Sequence, residues 1–240
     1  MLYEDFMKRL FGSKSKSKDD CALNNRRQKT LSILKKMDID YCSGLPIIED
    51  MAMIKSLSDI CRRAVVSLYI SVWADYYLND KKELNDEKVL LMNRMKELDS
   101  LSALFPSEKA LIGGTVSDKD ALQLTWGVEC CYMLMWVMGF IETSEAIDAC
   151  DECDPQTIIR ILNSFDSLNE MTEKCKMREQ GQILDMLDLY YNYHWACVDK
   201  SVRPETNCGE LIGGVVMERR KALEWLFDEE NDWSEISLDT

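Results

Sequence analysis

Apolar residues recur at the three-and-four spacing of an α-helix through most of the chain after residue 20. The clearest stretch is 57–78, which begins beside Ser56 and Asp59, a pair typical of a helix N-terminus. Its apolar face consists of Leu57, Ile60, Cys61, Ala64, Val65, Leu68, Val72 and Tyr76. The same spacing and capping signals predict further helices at roughly 21–37, 86–101, 118–140, 166–179, 182–199 and 215–228, and another that begins at Asp154-Pro155.

One segment is apolar on every side. Residues 130–140 read CCYMLMWVMGF, a composition that indicates a helix surrounded by other helices. The chain has only ten Gly and four Pro and shows no strand-length alternation, so no β-sheet is predicted. The sequence therefore predicts an all-α fold: a single compact multi-helix domain at 21–240 with a central buried helix. Residues 1–20, which include GSKSKSKDD, are predicted to form a short, basic, flexible tail.

The composition is that of a soluble globular protein, with 46% hydrophobic and 30% charged residues. The longest apolar run, 130–141, is shorter than the roughly 20 residues that span a bilayer, so we expect no stable membrane insertion. Ten cysteines are scattered along the chain without a preceding secretory segment. We therefore expect reduced thiols and a cytoplasmic protein.

Charge is distributed unevenly along the chain. The first 36 residues carry ten Lys/Arg and four Asp/Glu, whereas the other 204 carry 19 and 39, and the net charge is −14. A strongly acidic body disfavours nucleic acid as a partner, because phosphate binding needs a basic face. Solubility alone explains such acidity. If the surface serves recognition, the expected partner is another protein with a basic surface, or a small molecule.

The short motifs typical of metal and cofactor sites are weak here. Cys150 and Cys153 form a lone CxxC without a second pair or a well-spaced histidine, so a tetrahedral zinc site would lack ligands. The Gly-Gly turns at 113–114 and 213–214 are not followed by the Gly-Lys-Ser/Thr of a phosphate loop. We predict no metal and no cofactor.

Charged and titratable side chains nevertheless fall on the apolar faces of three predicted helices, where an unpaired charge would be costly. They are Glu129 in the helix at 118–140, Asp188 and His194 in the helix at 182–199, and Arg219 in the helix at 215–228. We expect these four side chains to converge at a mostly dry centre lined by Trp126, Trp195 and Trp225. Arginine suits such a centre because its guanidinium can pair with a carboxylate through two hydrogen bonds.

Two interpretations of this cluster stay open. It can be a satisfied polar network that fixes how the helices dock, or it can line a pocket. The candidate residues are Trp126, Glu129, Asp188, Tyr191, His194, Trp195, Glu218, Arg219 and Trp225. We favour a protein-interaction or ligand-binding domain without catalytic activity. The alternative is an enzyme in which His194, the only histidine, acts as acid/base with Glu129 or Asp188.

Motifs spread along the chain also carry a family resemblance. They are Arg26-Arg27, Leu45-Pro46, Trp126 with Glu129, Met135-Trp136-Val137-Met138-Gly139, Asp188-Leu189, Tyr191, His194-Trp195, Val216, Glu218-Arg219, Ala222-Leu223, Trp225-Leu226, Trp233 and Asp239-Thr240. Together they resemble a bacterial family catalogued as domain of unknown function 4272, over roughly 22–240. The chain departs from that pattern at Gly127 and Asn192, where the family commonly has Arg, which weakens any anion-binding role. The resemblance implies a bacterial cytosolic protein and implies no activity.

Overall fold

A computed structural model of the protein describes residues 19–49, 53–79, 84–228 and 236–240. These residues form α1 (Asp19–Lys36), α2 (Leu57–Asn79), α3 (Leu84–Glu97), α4 (Pro106–Ile112), α5 (Asp118–Thr125), α6 (Gly127–Val137), α7 (Thr143–Ile147), α8 (Pro155–Leu162), α9 (Leu168–Lys174), α10 (Gln180–Val202) and α11 (Gly213–Trp225). A 3₁₀ turn at Leu101–Ala103 separates α3 from α4. Most of the predicted tail at 1–20, and Trp233, lie outside the described residues.

The helices pack in a continuous series. Helix α2 lies against α5 and α6, α6 lies against α11, α11 against α10, and α10 against α1. Every side chain from Glu129 to Val137 in α6 is buried, because helices cover it on opposite sides. The described ranges contain no strand, so the prediction of an all-α domain with a central buried helix is confirmed. None of the helices described is both long enough and apolar enough to cross a bilayer.

The longest helices have nearly the predicted boundaries. The segment predicted at 57–78 forms α2, and Ser56 Oγ accepts a hydrogen bond from the backbone N–H of Asp59 at 3.2 Å.

The carboxylate of Asp154 caps α8 by accepting from the N–H groups of Gln156 and Thr157 at 3.0 and 3.2 Å. Proline in the first turn of α8 is tolerated there because its missing N–H would have had no partner inside the helix.

The helix predicted at 118–140 is instead two helices, and this prediction was wrong in its continuity. Helix α5 ends at Thr125 and α6 begins at Gly127, with Trp126 as the junction at φ −69° and ψ −9°. A Cβ at Gly127 would lie only 2.9 Å from the backbone oxygen of Ser67 in α2. The two backbones therefore approach more closely than a larger residue allows, and α6 starts in a direction set by that contact.

The segment predicted to be helical at 166–179 is helical only to Lys174, because its second half bonds to another part of the chain. The N–H of Lys176 donates to the carbonyl of Met138 at 3.0 Å, and the N–H of Arg178 donates to that of Val137 at 2.9 Å. The Arg178 guanidinium also donates to the carbonyls of Trp136 and Ile141. These bonds satisfy the open carbonyl end of α6. The short helices α4 and α7 were not predicted.

We expect Gly127→Ala to lower the free energy of unfolding by about 1–3 kcal/mol, since α2 and α6 must separate to admit the methyl group. Urea denaturation followed by circular dichroism measures the change. Gly181→Ala, near the start of α10, is the matched control because nothing lies within 4 Å of its added Cβ. That control should be neutral or stabilising, by up to about 1 kcal/mol. Equal effects of the two substitutions would contradict the close approach.

Candidate functional site

Glu129 and Arg219 form a buried ion pair between α6 and α11. The Arg219 Nε–H donates to Glu129 Oε2 at 2.7 Å, and the two side chains are only 1% and 2% exposed. The structure thus brings two of the four convergent residues into direct contact. A pair so completely removed from water is favourable only when its remaining polar atoms also have partners.

Those remaining atoms bind the loop that follows α7. Glu129 Oε1 accepts a hydrogen bond from the backbone N–H of Cys153 at 2.7 Å. The Arg219 guanidinium donates to the carbonyl of Asp148, and more weakly to that of Asp151 at 3.5 Å. The ion pair therefore fixes the backbone of residues 148–153.

Two tyrosines complete the surroundings of the pair. The Arg219 guanidinium lies 4.5 Å from the centre of the Tyr132 ring and donates to the hydroxyl of Tyr190 at 3.2 Å. That hydroxyl in turn donates to the carbonyl of Ala146 at 2.8 Å. Burial raises the pKa of both phenols to about 12, so each stays protonated at neutral pH and remains able to donate.

A cleft of about 420 Å³ opens above this pair, and we call it the acidic cleft. It is lined by Tyr132, Ile141, Ser144, Glu145, Asp148, Asp151, Glu152, Cys153, Asp154, Thr157 and Arg219. Five of these residues carry carboxylates, and Arg219 at the floor is the one cation among them. The segment 142–154 that supplies most of the lining has six Asp/Glu and no Lys or Arg. Cys153 belongs to the CxxC pair, and its backbone N–H donates a hydrogen bond to Glu129 Oε1.

Asp188 belongs to a different cluster, at the junction of α10 with α1. Arg27 donates to both carboxylate oxygens, at 2.8 and 3.2 Å, and Thr30 donates to one of them at 2.6 Å. Arg27 also donates to the carbonyls of Leu45 and Pro46, at 3.1 and 2.7 Å. The cluster holds the connection after α1 against the rest of the domain. Sequence reasoning missed this partner, although the Arg26-Arg27 and Leu45-Pro46 motifs had both been singled out.

His194 belongs to a third cluster, centred on Arg220. An Arg220 Nη–H lies 2.7 Å from His194 Nδ1, which must therefore act as acceptor, so the imidazole is neutral with its proton on Nε2. Burial, and secondarily the charge of Arg220, lowers the pKa of His194 from 6.5 to about 4. Neither Glu129 nor Asp188 bonds to His194 in the described structure, so the expected carboxylate–histidine pair is not formed.

Arg220 also binds the backbone of the C-terminal segment 238–239. It donates to the carbonyls of Leu238 and Asp239 at 3.1 and 3.2 Å and to the carboxylate of Glu224 at 3.1 Å. Its guanidinium lies 4.6 Å from the centre of the Tyr191 ring. Tyr191 thus contacts the histidine cluster and not the acidic cleft.

The expectation that Glu129, Asp188, His194 and Arg219 meet at one centre is wrong. Arg219 and Arg220 are consecutive in α11, so their side chains point about 100° apart around the helix axis and reach different partners. Position on an apolar face correctly indicated that Glu129, Asp188 and Arg219 are buried, whereas His194 is half-buried. It did not show which neighbouring helix each group meets.

Glu218 faces yet another direction. Its carboxylate accepts from Gln123 Nε2 at 2.8 Å, pairs with Lys221 and contacts Cys130 Sγ at 3.3 Å. These groups line a cavity of about 290 Å³ between α2, α4, α5, α6 and α11. Each polar atom of Glu218 already has a partner, so the carboxylate serves to join α11 to α5.

The three tryptophans have different neighbours within the described part of the chain. Trp126 is partly buried and packs against Gly214, where an added Cβ would lie 2.9 Å from the indole ring. Trp195 is partly buried against the apolar core. Trp225 is buried beside Lys55, whose Nζ lies 4.9 Å from the centre of the indole ring.

A further buried ion pair, between α2 and α4, was not predicted. Arg63 of α2 binds both carboxylate oxygens of Glu108 in α4, and the two side chains are 1% and 3% exposed. Arg63 also donates to the carbonyl of Ala103 at 2.9 Å. The sequence feature that could have indicated this pair is an arginine among the apolar residues of the clearest predicted helix.

In the part of the chain that is described, no group of three or more His, Cys, Asp or Glu is arranged to hold a metal ion.

A family model described as Domain of unknown function (DUF4272) matches residues 26–236, which is most of the chain. The chain belongs to this family. Neither the curated proteins nor the solved structures contain a match. In this DUF4272 domain the motif residues meet one another: Arg27 binds Asp188 and the Leu45-Pro46 carbonyls, and Glu129 binds Arg219. The motifs therefore mark the contacts that fix the irregular segments.

We expect Arg219→Met to destabilise the DUF4272 domain by about 3–5 kcal/mol, because it leaves the Glu129 carboxylate buried without its cation. Adding Glu129→Gln should recover part of the loss, since Gln removes the charge and keeps an acceptor for the Cys153 N–H. Chemical denaturation at pH 7 measures both variants. Lys174→Met, which breaks an exposed pair with Glu170, is the control and should change stability little. A comparably small effect for Arg219→Met would contradict a structural role of the pair.

The single histidine gives this DUF4272 domain one imidazole signal, so its titration can be followed by NMR. We expect a midpoint well below 6.5 and near 4. Because the folded-state pKa is lower than the unfolded-state value, the stability associated with the neutral ring is complete above about pH 6.5. It is lost as the pH falls towards 4.

His194→Asn keeps a hydrogen-bond acceptor but does not titrate in this range. The free energy of unfolding of this variant should therefore depend less on pH between 4 and 6.5 than that of the wild type. A normal imidazole midpoint, or equal pH dependence in the two proteins, would contradict the partly buried contact with Arg220.

Proposed function

We propose that this domain is a non-catalytic binding domain that recognises a partner protein through a basic segment seated in the acidic cleft. The observation that carries the proposal is the uneven charge of the cleft lining. It has five carboxylates, and its single cation, Arg219, is already paired with Glu129 below. A guanidinium or ammonium group entering from solvent would meet an excess of negative charge.

Three of the carboxylates are available for such a contact. Glu145, Asp151 and Glu152 are exposed, and their side chains form no ion pair or hydrogen bond within the described ranges. Carboxylates held close together repel one another, and the repulsion is stronger where protein displaces water. A cation from a partner relieves this repulsion and is attracted to the site before contact.

The buried ion pair supports recognition by fixing the lining in advance. Its bonds to the backbone of Asp148, Asp151 and Cys153 hold the loop that carries Asp151 and Glu152, while Glu145 lies in the preceding helix α7. A site whose backbone is already ordered loses less conformational entropy on binding than a free loop. The overall charge of −14 adds long-range attraction for a basic partner. We further propose, from the family resemblance, that the domain acts in the bacterial cytoplasm.

The test uses the full-length protein and a fluorescent peptide that contains several arginines. We expect saturable binding that weakens as salt increases, because the contact is ionic. The triple variant Glu145→Gln, Asp151→Asn, Glu152→Gln should lower affinity by about tenfold or more. Each of the three lost charge contacts is expected to weaken the affinity by about twofold or more, and the factors multiply.

The matched control changes the same number of charges away from the cleft: Asp75→Asn, Asp166→Asn, Glu205→Gln. These residues are exposed and do not line the cleft, so affinity should stay within about twofold of the wild type. If both triple variants weaken binding equally, the attraction comes from overall charge and the cleft is not the site. An acidic peptide of the same length that binds equally well would also overturn the proposal.

A further inference from the structure

Two thiols from distant parts of the chain face each other beside the end of α6. The Sγ atoms of Cys61 in α2 and Cys175, which directly follows α9, are 3.9 Å apart. The sulfurs of a disulfide are separated by about 2.05 Å, so the pair must close by about 2 Å to form one. Cys61 also lies against Met138, with its Sγ 3.4 Å from the thioether sulfur. The Cys61 side of the pair is therefore packed within the apolar core.

We propose that Cys61 and Cys175 are a peroxide-reactive pair that forms an intramolecular disulfide. The oxidant is a hydroperoxide. The Cys175 thiolate attacks the terminal peroxide oxygen, the O–O bond breaks, and the sulfur becomes a sulfenic acid while hydroxide, or alkoxide, departs. The Cys61 sulfur then attacks the Cys175 sulfur and displaces its oxygen as water, which takes up the Cys61 proton. The two thiols lose two electrons together, and the peroxide gains them.

Exposure assigns the two roles. Cys175 is partly exposed, so a small peroxide can reach it. Cys61 is completely buried, and its sulfur contacts the sulfur of Cys175. The contact with the Cys61 S–H lowers the pKa of Cys175 and so favours the reactive thiolate. The same contact, together with burial, raises the pKa of Cys61, which keeps it a thiol until its neighbour has been oxidised. One thiol is thus placed to react and the other to resolve the product.

Other described cysteines lack this combination. Cys130 and Cys131 are buried in α6, and burial raises the pKa of both. Burial likewise raises the pKa of Cys153, which lies beside the Glu129 carboxylate. Cys197 has a neighbouring thiol, Cys208, but burial raises the pKa of Cys197 to about 12 and disfavours its thiolate. Cys197 therefore provides a matched control.

The disulfide would join two segments that are remote in sequence but adjacent in the fold. Cys175 begins the extended stretch whose backbone bonds to Met138 and Val137 at the end of α6. A link to Cys61 would close a loop of more than a hundred residues, which restricts the unfolded chain strongly. Oxidised protein should therefore melt at a higher temperature than reduced protein, and a thiol reductant should reverse the shift.

The experiment exposes the reduced, folded, full-length protein to hydrogen peroxide. Intact mass spectrometry and non-reducing peptide mapping then follow the cysteines. We expect the mass to fall by about 2 Da, for two hydrogens lost, and a linked peptide that contains Cys61 and Cys175. Cys61→Ser should leave Cys175 as a sulfenic acid that is trapped by dimedone. Cys175→Ser should abolish the link, and Cys197→Ser should leave it unchanged.

Circular dichroism of each variant checks that it is folded. If Cys61→Ser unfolds because its hydroxyl is buried, the partly exposed Cys175→Ser variant carries the test on its own. The proposal is overturned if peroxide links a different pair in the wild type. It is also overturned if Cys175 proceeds to sulfinic or sulfonic acid while Cys61 remains a free thiol, or if neither residue reacts in the folded protein.

Discussion

The ion pair between Glu129 and Arg219 joins two packed helices to a loop, and the position of that loop depends on it. Moving either charge from water into the core costs several kcal/mol, which the attraction between them offsets only with good geometry. Here the geometry is good, because the spare atoms of both side chains bind the backbone of Asp148, Asp151 and Cys153. The pair therefore specifies how α6, α11 and the loop fit together, beyond any contribution to stability.

The same arrangement recurs elsewhere in the domain. Arg27 binds Asp188 and the carbonyls of the connection after α1, and Arg220 binds Glu224 and the carbonyls of the C-terminal segment. Each guanidinium pairs with a carboxylate on a helix and uses its other N–H groups for a segment without regular structure. Lysine carries three donors on one nitrogen but lacks the planar fork with which Arg27 binds both oxygens of Asp188. Apolar faces pack the helices, and buried arginines attach the irregular segments to them.

This division of labour explains what the sequence could predict. The spacing of apolar residues is a property of each helix by itself. It therefore predicted α2, α10 and the buried segment that forms α6. The partner of a buried charge depends on how two helices are rotated relative to each other. The apolar period of one helix does not indicate that rotation. Arg219 and Arg220 are neighbours in sequence and both reach α10, yet only Arg219 pairs with α6, and the two bind different irregular segments. The break at Trp126 was equally hidden, because it follows from the contact of Gly127 with Ser67 in another helix.

The acidic cleft combines an unfavourable charge distribution with a rigid frame, and the two features belong together. The carboxylates of Asp148, Asp151 and Glu152 on a free loop would move apart to reduce their repulsion. The loop cannot do so here, since its carbonyls and one N–H are held by Arg219 and Glu129. Asp148 shows the link most directly, because its carbonyl binds the buried arginine while its residue lines the cleft. The repulsion is thus retained in the folded state, where a cation supplied by a partner can relieve it.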